Sequence, residues 1–205
     1  MRKSHILAAM MAFATMGSSS YAADMVTEPV ADWSGLYLGG HAGYLWGDVD
    51  VDGFDDSDIE GFIWGGLGGF NFQSDNLVFG IEADFGFTDA DGSDFDSADL
   101  SYEMKHNAHI RARLGMDMDM FMPFIAGGLA VGKFEVTEQG GAVDDSNTMW
   151  GFTIGGGVDV RPMEHLVIRA EYLYDDYGSK DFDVNGGTDI GFDAHTVRAA
   201  LIWHF

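Results

Sequence analysis

The residues 48–53 read Asp-Val-Asp-Val-Asp-Gly. Carboxylates at alternate positions followed by a glycine form the opening of a loop that wraps a hard cation. Asp48, Asp50 and Asp52 are therefore candidate metal ligands. The closing glutamate of such a loop should fall at position 59, which is Ile59; Glu60 comes one residue late, and no helical pattern flanks the stretch. Diffuse attraction of divalent cations to a solvated acidic segment fits the residues better than a dedicated calcium site. Asp89, Asp91, Asp94 and Asp96 repeat the idea more weakly. With no Cys in the chain, thiolate metal sites, thiol nucleophiles and disulfides are excluded. Hydrolytic chemistry would need a Ser–His or Asp–His constellation. Thr196 rather than a Ser follows His195, His106 has no evident Ser partner, and His41 and His109 read as hydrogen-bonded interior residues.

The second set of chemistry-bearing residues is larger and balanced. Glu82, Asp84, Glu103, Asp159 and Glu171 stand in segments that also carry Lys105, Arg111, Arg113, Arg169 and Arg198. Elsewhere the chain is strongly acidic, with 34 Asp plus Glu against 10 Lys plus Arg and a net charge of −24. A solvated face of so acidic a protein has no reason to be neutral. A closed interior does, because an unpaired buried charge is costly. The acidity also argues against nucleic acid as a partner, since phosphate binding needs a basic surface.

Eight segments with period-two alternation must position these charges. They span 36–46, 61–73, 77–87, 100–116, 121–134, 149–160, 166–174 and 194–205. In the third, Leu77, Phe79, Ile81, Ala83, Phe85 and Phe87 alternate with Val78, Gly80, Glu82, Asp84 and Gly86. In the fourth, Leu100, Tyr102, Met104, Ala108, Ile110, Ala112 and Leu114 oppose Ser101, Glu103, Lys105, Asn107, His109, Arg111 and Arg113. The fifth is apolar or glycine on both faces, so its facing stays open. Short connections at 74–76, 117–120 and 161–165 alternate with long ones near 48–60, 88–99, 135–148 and 175–193. That alternation is the arrangement of a membrane β-barrel, with the short turns and both termini at the periplasmic end. The expected fold is all-β, an eight-stranded antiparallel up-and-down transmembrane barrel. The paired charges line its lumen, and the apolar faces meet lipid. Trp46, Trp64, Trp150, Trp203, Tyr172 and Tyr174 lie on those faces and suit interfacial girdles.

The N-terminus carries Arg2 and Lys3, an apolar core over 6–16, and Ser20-Tyr21-Ala22. These are the parts of a secretory signal, with cleavage expected after Ala22. The expected organisation is a signal peptide at 1–22, a periplasmic lead at 23–32 and a barrel at 33–205. Removing Arg2 and Lys3 would take the net charge to −26.

Residues 33–47 (WSGLYLGGHAGYLWG), 169–178 (RAEYLYDDYG) and 195–205 (HTVRAALIWHF) resemble the first, seventh and last strands of the OmpA-like outer-membrane β-barrel family, in its small surface-antigen "porin family" branch. The resemblance implies an outer-membrane location, no cofactor and no catalytic site. It also implies that Trp203 and the terminal Phe205 act as the sorting signal for the barrel-assembly machinery. Outer-membrane lipids and lipopolysaccharide would be the immediate surroundings.

The expected function is non-enzymatic, structural and surface-exposed, with acidic loops facing outward. A narrow ion- or small-solute-permeable channel and a loop-based adhesin, receptor or divalent-cation binder are the alternatives. An eight-stranded barrel is just wide enough for side chains to fill. Inward Gly65, Gly69, Gly80, Gly115, Gly155 and Gly157 are expected to reopen small water-filled pockets.

Overall fold

The computed structural model describes residues 32–51, 57–93, 100–138, 144–182 and 188–205. The signal sequence and residues 23–31 of the lead lie outside the described residues. Eight antiparallel strands follow one another: β1 (Gly35–Val51), β2 (Ser57–Ser74), β3 (Leu77–Ser93), β4 (Leu100–Met116), β5 (Phe121–Glu138), β6 (Asp144–Met163), β7 (Leu166–Phe182) and β8 (Thr188–His204). Each pairs with its neighbours in sequence, and β8 pairs back onto β1 to close the barrel. All edges are thereby removed.

The short connections are tight. Asp75 (φ 52°) and Asp119 (φ 62°) adopt left-handed backbone at two of them, a conformation that aspartate tolerates better than most residues. The long connections differ from expectation. The strands are 17 to 20 residues long, well beyond the roughly 9–11 that span a bilayer. Residues 48–51, 57–60, 88–93, 135–138, 144–148, 175–182 and 188–193, expected in connections, are therefore strand. Backbone pairing continues there although apolar alternation stops. With water outside, the outward positions need not be apolar, and the pattern that marks a membrane strand disappears.

Outward and inward residues alternate through the membrane zone. Leu36, Leu38, Phe62, Trp64, Phe70, Phe72, Phe79, Ile81, Phe85, Ile110, Ile125, Leu129, Trp150, Phe152, Ile154, Leu201 and Trp203 are exposed on the outside. At about 3.3 Å per residue and a tilt of about 40°, the run from Leu36 to Trp46 climbs roughly 25 Å along the axis, the height of an outer-membrane apolar band. The open facing of the fifth segment is settled: Met122, Phe124, Ala126 and Ala130 point in, while Phe121, Ile125 and Leu129 point out.

The facing expected of Met104 is reversed. Met104 is fully buried rather than lipid-facing. Lys105 is left out of both ladders: the β4–β5 register shifts between Met104 and His106, and the β3–β4 register between Phe87 and Ala90, and the extra residue turns Met104 to the opposite face.

The lumen is filled in three layers. At the short-turn end Trp33, Tyr37, Leu67, Val78, Met122, Val167, Ala200 and Ile202 pack together. At the other end Leu45, Ile59, Ala90, Met104, Ala130, Met149, Tyr177, Phe192 and Ala194 form a second apolar cluster. Between them lies the charge.

Candidate functional site

Alternation along β3, β4, β6, β7 and β8 points charged side chains into the middle layer. Four guanidiniums meet five carboxylates there. Arg169 donates from Nε to Asp159 at 2.7 Å and from Nη1 to Glu82 at 2.6 Å. Arg113 donates from Nη2 to Asp159 at 2.8 Å. Arg111 bridges Glu171 at 2.7 Å and Glu82. Arg198 joins Glu171 at 2.8 Å to Asp84 at 3.0 Å. Every one of these residues is at most 5% exposed. Removal from water makes such pairs tolerable only when each partner is kept, and here each carboxylate so far named meets at least two cations.

The fifth carboxylate is Asp175, from a stretch expected to be a connection. Because β7 continues to Phe182, Asp175 points inward, fully buried. His109 stands between two acids, with Nδ1 2.8 Å from Asp84 and Nε2 3.3 Å from Asp175. His41 is buried, but no hydrogen-bond partner for its ring is found among the described residues, in contrast to expectation.

Apolar residues support the network directly. Phe124 lies 4.2 Å beneath the Arg113 guanidinium and 4.8 Å beneath that of Arg169, so this inward ring serves as a cation–π platform. Tyr37 donates its hydroxyl to Glu82 at 2.8 Å and accepts from Arg113 at 3.2 Å. Neither residue was singled out in the sequence. An aromatic beside a buried guanidinium is the pattern that could have flagged them, but only once the facing of 121–134 was known.

Of the ten lumen residues read from the sequence, the structure brings eight together: Glu82, Asp84, Arg111, Arg113, Asp159, Arg169, Glu171 and Arg198. Lys105 sits at the bulge and is only half-buried. The Glu103 side chain lies outside the described residues. At the inward glycines, neighbouring atoms take the place of the missing side chain. A Cβ at Gly65 would meet His41, at Gly69 Tyr37, at Gly80 Asn71 and Arg113, at Gly115 Met122, at Gly155 Leu173 and at Gly157 Phe124. Larger neighbours lie across each glycine and use its missing side chain.

The candidate metal ligands lie mostly outside the described residues. Asp48 and Asp50 are strand residues of β1. The Asp50 side chain and the whole of Asp52 lie outside the described residues. Among the described residues no group of three His, Asp or Glu side chains could hold a metal ion. Trp203 and Phe205 are outward and exposed at the short-turn end. The Trp203 ring stacks on His165 at 5.4 Å, and the Phe205 amide donates to Leu36 across the closing seam at 2.9 Å.

On the outside, the aromatic row of the long-connection end is capped by acids. Above Trp46 comes Asp48, above Phe62 Glu60, above Phe87 Asp89, above Tyr174 Asp176 and above His195 Asp193. His195 faces outward with this girdle: its ring stacks on Trp46 at 5.8 Å, and its Nδ1 is 2.7 Å from the Tyr172 hydroxyl. His106 also faces out, stacked on Phe85.

A closed eight-stranded barrel with an apolar exterior band, aromatic edges and a charge-paired interior defines a transmembrane β-barrel of the outer-membrane type. Residues 6–205 match the family described as outer membrane protein beta-barrel domain, and the chain belongs to that family. It is 33% identical to the 22 kDa outer membrane protein of Rhizobium leguminosarum bv. viciae, over 85% of this chain and 79% of that one. It is also 33% identical to the 31 kDa outer-membrane immunogenic protein of Brucella melitensis, over 99% of this chain and 100% of that one. Among solved structures, Neisserial surface protein A superposes with a TM-score of 0.56 at 17% identity, covering 84% of this chain and 98% of the other. OprG of Pseudomonas aeruginosa gives 0.53 at 13% identity, covering 86% and 100%. These two likenesses concern the fold. The outer membrane is the location of the protein.

Proposed function

We propose that this protein is a non-enzymatic, non-conducting barrel that anchors acidic strand extensions and loops at the cell surface. The observation that carries this reading is the filling of the lumen. A charge-paired layer, with every named guanidinium bound to carboxylate, lies between two apolar layers. An ion entering it would have to displace bonds between fully desolvated partners. Both nitrogens of His109 face carboxylates, which leaves neither to activate a nucleophile. Purified protein reconstituted in planar bilayers should give no reproducible single-channel steps; regular, ion-selective steps would establish the narrow-channel alternative instead.

The same reading assigns its surroundings. Outer-membrane lipids, including lipopolysaccharide, meet the apolar band. The barrel-assembly machinery reads Trp203 and Phe205 in the emerging chain.

The rim supports a second role, diffuse capture of divalent cations. Asp176, Asp193 and Asp48 are direct cross-strand partners on β7, β8 and β1. Like charges so placed are unfavourable and are relieved by screening. Calcium should raise the urea midpoint of the wild type more than that of an Asp48→Asn/Asp193→Asn variant; equal shifts would remove this role.

A further inference from the structure

The short strap before β1 is built unlike the rest of the exterior. Trp33 is the one tryptophan of five that does not face lipid: it turns into the lumen mouth and is 1% exposed. Four elements hold it. Its amide donates to Gln73 Oε1 on β2 at 2.8 Å, and its indole N–H donates to Asp117 Oδ1 in the β4–β5 turn at 3.1 Å. Arg161 of β6 lies 3.9 Å over the ring and donates to the Asp32 carbonyl at 2.8 Å. His204 Nε2, on β8, is 3.1 Å from the Trp33 carbonyl. Gln73 ties the set together by donating to Asp117 Oδ2 at 2.8 Å, while its own amide donates to Ser34 Oγ at 3.0 Å.

Gly35 makes the inward swing possible. Its φ of +133° is a region open to glycine, and a Cβ there would meet the Phe205 carbonyl oxygen at 2.9 Å. The strap therefore lies on the β1–β8 seam, where the first strand pairs the last. That seam joins β1 to β8, so it can close only after all eight strands are made. The Trp33 ring, meanwhile, rests on the underside of the apolar layer formed with Val78, Met122, Val167 and Ile202.

We propose that residues 32–34 form a latch that docks on the closed seam and seals the lumen from the periplasm, with Trp33 as its bolt. The latch rests on the reading of the barrel as closed, yet it has its own readout. Undocking opens the short-turn mouth alone, while the charge layer and the upper apolar layer stay in place.

The chain has no Cys, so single cysteines report cleanly. Ala200→Cys lies in the layer that Trp33 covers, and Ala194→Cys in the opposite one. The folded protein in detergent is treated with a small charged methanethiosulfonate reagent. Trp33→Ala should speed labelling at Ala200→Cys by about tenfold or more, as a local opening would, and leave Ala194→Cys unchanged. Should Trp33→Ala not fold, Arg161→Gln, which removes the cation over the ring, should show the same asymmetry to a smaller degree. Unchanged labelling at Ala200→Cys, or equal acceleration at both positions, would overturn the latch. Emission provides a second check. In brominated lipid the other four tryptophans should be quenched and Trp33 spared, so Trp33→Phe should abolish the unquenched component; an unquenched component that survives would count against the inward bolt. Conductance by the wild type would defeat the closed-barrel reading without touching the labelling asymmetry.

Discussion

The membrane zone and the extension beyond it are built by the same eight strands with opposite polarity. In the first, Phe79, Ile81 and Leu201 face out while Glu82, Arg111 and Arg169 face in. In the second, Asp48, Glu60, Asp89 and Asp176 face out while Ile59, Ala90, Met104 and Phe192 face in. The inversion happens at a common aromatic boundary of Trp46, Phe62, Phe87 and Tyr174. Alternation alone only separates two faces; the solvent outside decides which face is apolar. Below the boundary hydrocarbon surrounds the barrel, so charge retreats inward and must pair. Above it water surrounds the barrel, so charge comes out and the interior closes like that of a soluble barrel.

The largest loss is expected from breaking the paired interior. Arg169→Gln strips Asp159 and Glu82 of a fully buried partner, and truncating one member of a buried pair costs about 3–5 kcal/mol. Urea titrations of the reconstituted barrel would measure it. In the upper zone the interior is apolar, so the damaging change there is loss of volume. Met104→Ala should cost about 3 kcal/mol through the cavity it leaves, with no dependence on salt in the same titration. A charge placed outside sharpens the boundary itself. Ile81→Arg, at mid-band, should cost about 2–4 kcal/mol, whereas Trp46→Arg, at the edge, should cost about 0–1 kcal/mol beyond the loss of the ring contacts. Equal penalties would mean that the boundary is misplaced.

The smallest effect belongs to the exposed strap. The Ser34 backbone amide, with its hydroxyl as a further contributor, holds the Asp32 carboxyl below the ordinary aspartate range. A lowered folded value means that its contribution is present above the unfolded pKa, near 3.9, and fades as pH falls through the folded one. Asp32→Asn should therefore flatten a slight acid-side decline in the urea midpoint and leave neutral pH unchanged.

Much of the membrane zone was legible because lipid enforces a strict pattern. Leu77 to Phe87 and Thr196 to Phe205 could be assigned facings from alternation alone, and the near balance of acids and bases on the opposite face identified the lumen. The extension was illegible for the converse reason. Water tolerates Asp and Gly on an outward face, so β7 looked finished at Tyr174 and Asp175 was missed as a lumen acid. The bulge at Lys105 was hidden as well. One extra residue leaves no compositional trace, yet it turned Met104 inward and took Lys105 out of phase. Trp33 carried no periodic signal, since it precedes the first strand. Its place comes from Gly35 and from partners on four distant elements.

If the inward charges work as a mutually compensating unit, a double-mutant cycle on Arg169 and Asp159 will reveal their coupling. Arg169→Gln, Asp159→Asn and the double variant would be compared by urea titration in liposomes. The double variant should lose less than the two single losses added together, with a coupling of about 1–3 kcal/mol. Additive losses would contradict it, because two charges that each matter alone do not form a pair.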